Sequence, residues 1–294
     1  MVYTEHVPVL ANEVVEYLIK RPSGVYIDGT AGSGGHSRYI LHKLAPDGLL
    51  IMLDVDEDAI AFLKQQFSHE PRAEIIHASY AEIPHIVNDM KLSSVDGVLL
   101  DLGVSTHQVY EGSRGFSFMR EGPLDMRFSK DISPISAYDV VNSYDRDKLV
   151  NIFTAYGEEP YADEIADAII HYRKAKPIET TLELADIVAD IVPYKDKKHP
   201  ATRVFQALRI YVNNEFDNIE KGIRGAISVL NSGGRLGVIT YHSLEDKLVK
   251  RIFSELKHQG LGRVVKKNGI RPKWSEIQNN RKARSAIMRI FEKR

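Results

Sequence analysis

Three aspartates stand at or beside the ends of short runs rich in Val, Ile and Leu: Asp28 after Val25, Asp54 after the run from Leu49, and Asp101 after the run from Gly97. Behind the first lies Asp28-Gly29-Thr30-Ala31-Gly32-Ser33-Gly34-Gly35-His36, ahead of a stretch with helical spacing. Glycines let a backbone turn tightly and approach a ligand, and a helix N-terminus favours an anionic group. Ser37 occupies the position of the third glycine in the dinucleotide fingerprint. Such a turn suits the carboxylate and ribose of S-adenosylmethionine and equally a pyrophosphate, so the residues leave a methyl donor and a nicotinamide cofactor both open. Asp54, 22 residues beyond Gly32, could accept hydrogen bonds from both ribose hydroxyls of either ligand. Its bland reading is a helix cap, for which Asp56 or Asp58 suits better. Tyr80 reads as an adenine platform or as a core aromatic.

Asp101 leads into Leu102-Gly103-Val104-Ser105. In amine methylation this is where a polar group holds the target nitrogen beside the methyl carbon, positioning mattering more than strong basicity; the alternative is a strand-end cap. Next come Arg114-Gly115-Phe116-Ser117-Phe118 and Gly122-Pro123-Leu124-Asp125-Met126-Arg127. Aromatics with arginines nearby suit an unstacked base and its phosphates, or a hydrophobic lid. His199 to Arg203 and Tyr241 to Asp246 add polar groups near the same sheet edge. No nucleophile elbow surrounds Ser243, and His36, His199 and His242 lack metal-ligand spacing, so neither a serine triad nor a metal is expected. The 294 residues include no cysteine, which excludes disulfides, thiolate metal sites and cysteine nucleophiles.

Elements that could position these groups follow from periodicity. Four apolar runs, at 25–28, 49–54, 74–77 and 97–102, alternate with helical spacing such as Ser37, Ile40, Leu41 and Leu44, or Ile60, Leu63, Lys64 and Phe67. This predicts an α/β fold with a doubly wound parallel sheet, whose ligands sit at the carboxyl ends of its strands. From Ser105 to Asn213 helical signals take over. Asp145 reads as the cap of a helix stopping at Gly157, Pro160 as the start of a second, and Thr180 or Thr181 as the start of a third that ends before Pro193. A long amphipathic stretch from Phe205 to Ile223 then leads through Ser232-Gly233-Gly234 to a fifth strand at 235–240, and 284–292 reads as a late antiparallel strand. The expected division is a discontinuous core of residues 1–104 and 214–294 with an inserted helical domain at 105–213. Residues 1–10 show no signal-peptide pattern and no run of 18 apolar residues occurs, so a soluble cytoplasmic protein without a membrane partner is expected. The net charge of -1 hides a polarity: from Lys247 onward there are 15 Lys or Arg against 3 Asp or Glu. That basic segment is expected to contribute RNA affinity.

Taken in order, these blocks resemble one family, the RsmH (MraW) ribosomal RNA small-subunit methyltransferases. The matching stretches are His6 to Leu10, Thr30 to Ser37, Asp101 to Ser105, Arg114 to Phe118, Gly122 to Arg127, Gly157-Glu158-Glu159, His199 to Asn213 and Tyr241 to Asp246. The resemblance implies a class I methyltransferase core with a helical insertion for substrate recognition, acting on N4 of a cytosine in 16S rRNA with S-adenosylmethionine as donor. Carried over by position, the donor contacts fall on Gly34, Gly35, His36, Asp54, Tyr80, Asp101 and Gln108. Thr106 stands where the family usually has serine, and Tyr80 and Tyr241 where it usually has phenylalanine. On this reading Asp101 orients the amine, Phe116, Phe118 or Tyr241 holds the extruded base, and the partner is 16S rRNA, within the small ribosomal subunit; a homodimer is left open. The absence of cysteine fits, because methylation at cytosine C5 normally proceeds through a cysteine adduct. The competing readings are a nicotinamide oxidoreductase, disfavoured by the missing glycine, and a noncatalytic RNA-binding or assembly factor, disfavoured by the intact loop with Asp54 and Asp101.

Overall fold

The computed structural model describes residues 7–193 and 199–294; His6, which opens the first matching block, lies outside the described residues. The elements run in chain order from α1 (Ala11–Leu18), β1 (Val25–Asp28) and α2 (Gly35–Lys43) to β2 (Leu49–Asp54), α3 (Glu57–Gln66) and β3 (Ala73–His77). Next come α4 (Ile83–Asp89), β4 (Val95–Asp101), α5 (Thr106–Tyr110), α6 (Ala137–Ser143), α7 (Arg146–Gly157), α8 (Ala162–Arg173), α9 (Thr181–Ile191) and α10 (Thr202–Val212). The chain closes with α11 (Glu215–Val229), β5 (Leu230–Thr240), α12 (Ser243–His258), β6 (Gly262–Val264), α13 (Trp274–Asn279) and β7 (Ile287–Lys293). Two compact units result, one formed by Val104–Glu215 and the other by the chain before it together with Phe216–Arg294. Among the described residues no helix is long and apolar enough to cross a membrane.

The sheet unit is built on seven strands in the order β3-β2-β1-β4-β5-β7-β6. Strands β1 to β5 are parallel, and β7 is antiparallel to both β5 and β6. Side chains alternate across the sheet: Ile51 and Leu53 join one apolar layer with Ile83, Ile223 and Phe253, while Leu50 and Met52 join the other with Leu18, Ile40 and Leu63. Covering both faces is what a parallel sheet requires. This is the class I methyltransferase-like doubly wound sheet that the motif order implies. Strand order reverses between β1 and β4, where such sheets bind their ligands.

Three details differ from the sequence reading. The stretch from Phe205 to Ile223 is two helices, because Asn214 takes φ 49° and breaks the run between α10 and α11. The last strand starts at Ile287, since residues 281–285 form a 3-10 turn in which the Asn280 side chain accepts from the Lys282 N–H. The three-residue β6 was too short to show a period.

The helical unit carries the caps that its sequence advertises. The Asp145 carboxylate accepts from the Lys148 N–H, and Thr180 and Glu183 form a reciprocal capping box. Its core gathers Leu149, Phe153, Ile165, Ile169, Leu184, Val188, Val204 and Leu208. Gly157 lets α7 approach α10, since a Cβ there would lie 2.8 Å from the Arg203 carbonyl oxygen, and Arg203 donates to the Glu158 carbonyl. The Gly157-Glu158-Glu159 block and the start of α10 therefore meet in a packing contact.

Candidate active site

Asp28 ends β1 fully buried. Its Oδ2 accepts the Ser37 hydroxyl at 2.6 Å, and its Oδ1 accepts the Thr30 N–H at 3.3 Å. Ser37 thus has a reason of its own to replace a glycine: it holds a carboxylate whose pKa burial pushes up. The loop then leaves on positive φ at Gly32 (52°) and Gly34 (79°). Gly34 is the N-cap of α2, and a Cβ on it would fall 2.6 Å from the Phe67 ring. Glycine is needed there for conformation and for space alike.

The Gly32 N–H donates to Asp54 Oδ2 at 2.8 Å, while Asp54 Oδ1 accepts the Asp56 N–H at 2.9 Å. The helix cap belongs to Asp56, which accepts from the Asp58 N–H. Asp54 instead braces the glycine loop, and burial pushes its pKa up to about 6. Tyr80 opens a short 3-10 turn half-buried, its ring lying against Gly222, where a Cβ would meet it at 2.4 Å. One side of that ring is therefore committed to the layer containing α11.

Asp101 ends β4 with its backbone and side chain both held. Its N–H donates to Thr30 Oγ1 at 2.6 Å, which ties the strand to the glycine loop. The Tyr241 hydroxyl donates to Oδ1 at 2.8 Å, and His36 Nδ1 stands 3.6 Å from Oδ2. Burial raises the Asp101 pKa, against which His36 and the Tyr241 hydrogen bond act. Burial and the nearby Asp101 also raise Tyr241 well above its ordinary value, so it stays a donor. Glu245, fully buried at the start of α12, accepts the Tyr241 N–H at 2.8 Å and orients that residue. Lys282 also feels Asp101: loss of water around its ammonium lowers its pKa while the carboxylate opposes the change.

The sheet unit therefore holds Gly34, Gly35, His36, Asp54, Tyr80, Asp101 and Tyr241. Sequence reasoning assigned no site role to the Asp28 side chain, Thr30, Glu245 or Lys282. Glu245 closes a capping box with His242 at the start of α12, but a histidine cap lacks the usual sequence signature, and Lys282, in a basic run, has no local signal.

Gln108, Phe116 and Phe118 belong to the helical unit. The Gln108 side chain accepts the Ser105 N–H in a capping box and is buried. Of the three candidate base holders, Phe116 is a core residue, 9% exposed and stacked on Phe128, whereas Phe118 and Tyr241 are half-buried. Phe118 is half-buried, stacked 4.7 Å from His199 and edge-on to Phe205. The arginines around them serve the fold. Arg114 donates to the Phe128 carbonyl and Arg127 pairs doubly with Asp125. The Met126 N–H returns to the Arg114 carbonyl. These two blocks knot one another together through Arg114, Asp125, Met126 and Arg127.

A family model described as the MraW methylase family matches residues 3–294. The chain belongs to this family. A relative from Coprothermobacter proteolyticus, named ribosomal RNA small subunit methyltransferase H, is 46% identical over 291 residues, 99% of this chain and 97% of its own length. Relatives of the same name from Elusimicrobium minutum and Clostridioides difficile are 48% and 42% identical, each covering 98% of this chain and 98% of their own. As an MraW methylase the protein is a methyltransferase that takes its methyl group from S-adenosylmethionine.

The sheet-unit site fits that donor. Asp54 and Asp101 are only partly buried and border the glycine loop through Gly32 and Thr30, so two carboxylates stand open to a cationic sulfonium compound and its ribose, while Asp28 is engaged by Ser37 and Thr30. Asp54 retains acceptor capacity for a ribose diol, because each carboxylate oxygen can take more than one hydrogen bond.

Proposed function

We propose that this methyltransferase transfers the methyl group of S-adenosylmethionine to the exocyclic N4 of a cytosine in 16S rRNA of the small ribosomal subunit. The observation that carries this reading is Asp101, whose carboxylate ends β4 with Thr30 on its backbone and Tyr241 on Oδ1. The lone pair of an exocyclic base amine is conjugated into the ring, so the nitrogen must be held and turned toward the methyl carbon. A carboxylate held by Tyr241 on a backbone held by Thr30 does this by accepting an N4–H. The donor supplies an electrophilic methyl on a positively charged sulfur. Gly34, Gly35, His36, Asp54, Tyr80 and Gln108 are assigned to donor binding, and Phe118 and Tyr241 to holding the base. No cysteine is present to form the adduct that C5 methylation normally needs.

For the RNA, two features support the reading. Of the 15 Lys and Arg from Lys247 onward, all but Arg289 and Lys293 are exposed, although the ammonium of Lys282 is largely removed from water near Asp101. Among them Trp274 is 70% exposed at the start of α13, next to Lys273 and close to Arg271. Cations with an open aromatic ring suit a single-stranded backbone and a stacked base. The helical unit is assigned to substrate recognition, and the reaction to the cytoplasm. The test is to incubate the protein with labelled donor and either naked 16S rRNA or assembled 30S particles, then digest to nucleosides for mass spectrometry. N4-methylcytidine is expected; label on C5, or none in either RNA, overturns the reading.

A further inference from the structure

The imidazole of His36 is buried, and both of its nitrogens have defined neighbours. Nε2 lies 2.8 Å from the Val9 carbonyl oxygen. A carbonyl only accepts, so Nε2 carries the hydrogen. In the neutral ring Nδ1 then turns its lone pair toward Asp101 Oδ2, 3.6 Å away. Two acceptors face each other one proton short of a hydrogen bond.

We propose that His36 is the holding site for the proton that leaves N4, acting through Asp101. This inference rests on the N4 reading above. As the bond from N4 to the methyl carbon forms, the carbon–sulfur bond breaks and its electron pair stays on sulfur. The N4 proton passes to Asp101 Oδ2 and from there to His36 Nδ1. Asp101 is again a carboxylate, and the positive charge that left sulfur rests on an imidazolium, now hydrogen-bonded on both sides. The other ionisable groups suit this direction. Asp28, at the end of β1, interacts electrostatically with His36 and already takes the Ser37 hydroxyl on Oδ2 and the Thr30 N–H on Oδ1. Tyr241, following β5, already donates to Oδ1 and keeps its own proton. Glu245 of α12 adds negative charge near Asp101, and Lys282 of the 3-10 turn cannot accept while it is an ammonium. Among these groups His36 Nδ1 is the acceptor aimed at Oδ2.

The test compares His36→Gln, Asp101→Asn and the unaltered protein in single-turnover methylation across pH, with donor affinity measured by calorimetry. General-base assistance is worth about 100-fold, so His36→Gln is expected to lose about that factor at neutral pH. It should recover toward high pH, where solvent hydroxide takes the proton; a change in donor affinity, read separately by calorimetry, reports the donor contact of His36 and does not by itself move the pH profile of the single-turnover rate. Nitrogen-15 histidine spectra of the unaltered protein should show the neutral ring protonated on Nε2, a readout independent of whether His36→Gln folds. A neutral ring protonated on Nδ1 overturns the proposal. So does an unchanged rate and pH profile in His36→Gln with Asp101→Asn inactive, which leaves the N4 site itself intact. Full methylation by Asp101→Asn overturns the site assignment and the relay together.

Discussion

Tyr241 donates its phenolic hydrogen to Asp101 Oδ1 across 2.8 Å, joining residues 140 positions apart at the carboxyl ends of β5 and β4. The bond stabilises the ionised carboxylate in a place where burial favours the neutral acid. Its partner Thr30 does no such electrostatic work on the carboxylate, since it contacts the Asp101 backbone.

Removing that hydroxyl by Tyr241→Phe takes away an interaction that lowers the Asp101 pKa, so the pKa rises further. Activity that needs the carboxylate then fails at a higher pH as the solution is acidified. Because phenylalanine keeps the aromatic ring and removes only the hydroxyl, the rate on the alkaline plateau should stay within about threefold of the unaltered protein. A pH profile of kcat checks this; an unmoved acidic limb counts against the coupling.

Asp54 links donor affinity to pH. Its pKa is raised from 3.8 to about 6, so the folded protein binds the proton more tightly than the unfolded chain. Between these values the native state carries more protons, and the contribution of Asp54 to stability falls as pH rises. The ionised form that results is the better acceptor for a ribose diol. Calorimetry should show donor binding strengthening as pH climbs through about 6, with Asp54→Asn weaker by about 10-fold, or 1.4 kcal/mol, and lacking that pH step.

Gly115 stands at the centre of the knot between the Arg114–Phe118 and Gly122–Arg127 blocks. Its φ is 74°, and an added Cβ would lie 2.1 Å from the Pro123 carbonyl oxygen. Positive φ and a backbone clash act together, so Gly115→Ala should cost about 2–4 kcal/mol. Urea denaturation is the measurement, and a loss under about 0.5 kcal/mol, the range of a neutral surface change, contradicts the packing described.

Trp274 and the basic C-terminal segment make predictions about RNA. Affinity for a 16S fragment should fall steeply with salt, as phosphate contacts release counterions. Trp274→Ala should weaken binding by about 1–3 kcal/mol with little change in salt slope, since stacking is not ionic. Replacing Arg271 and Lys273 by glutamine should flatten that slope by about two contacts' worth. Filter binding at several salt concentrations separates the two, and a salt-insensitive affinity removes this segment as an anchor.

Much of the sheet was legible because its signals are local. Short runs rich in Val, Ile and Leu marked β1 to β5, and the glycine turn marked the ligand loop. The capping residues Asp145 and Thr180 worked the same way. The break at Asn214 was not legible: a heptad-like run of apolar residues continues across it in sequence while the chain passes from one unit to the other. Nor could the Arg114 and Phe116 block be sorted from composition. An arginine aimed at a carbonyl and one aimed at a phosphate look alike in sequence, as do a core phenylalanine and a stacking platform.

What the amino-acid sequence determined by itself was the doubly wound sheet, the three strand-end aspartates and the ordered motifs of the family, all of which depend on near neighbours or on residue identity. What only the tertiary structure decided was the company each aspartate keeps. Asp28 meets Ser37, Asp54 braces Gly32, and Asp101 lies between His36 and Tyr241. Those partners come from chain segments brought together by strand order, and the one-sided hydrogen bond of His36 to Val9 settles which nitrogen faces Asp101. Periodicity assigns a residue to a face of a strand or helix; which atom it finds there depends on how distant segments pack.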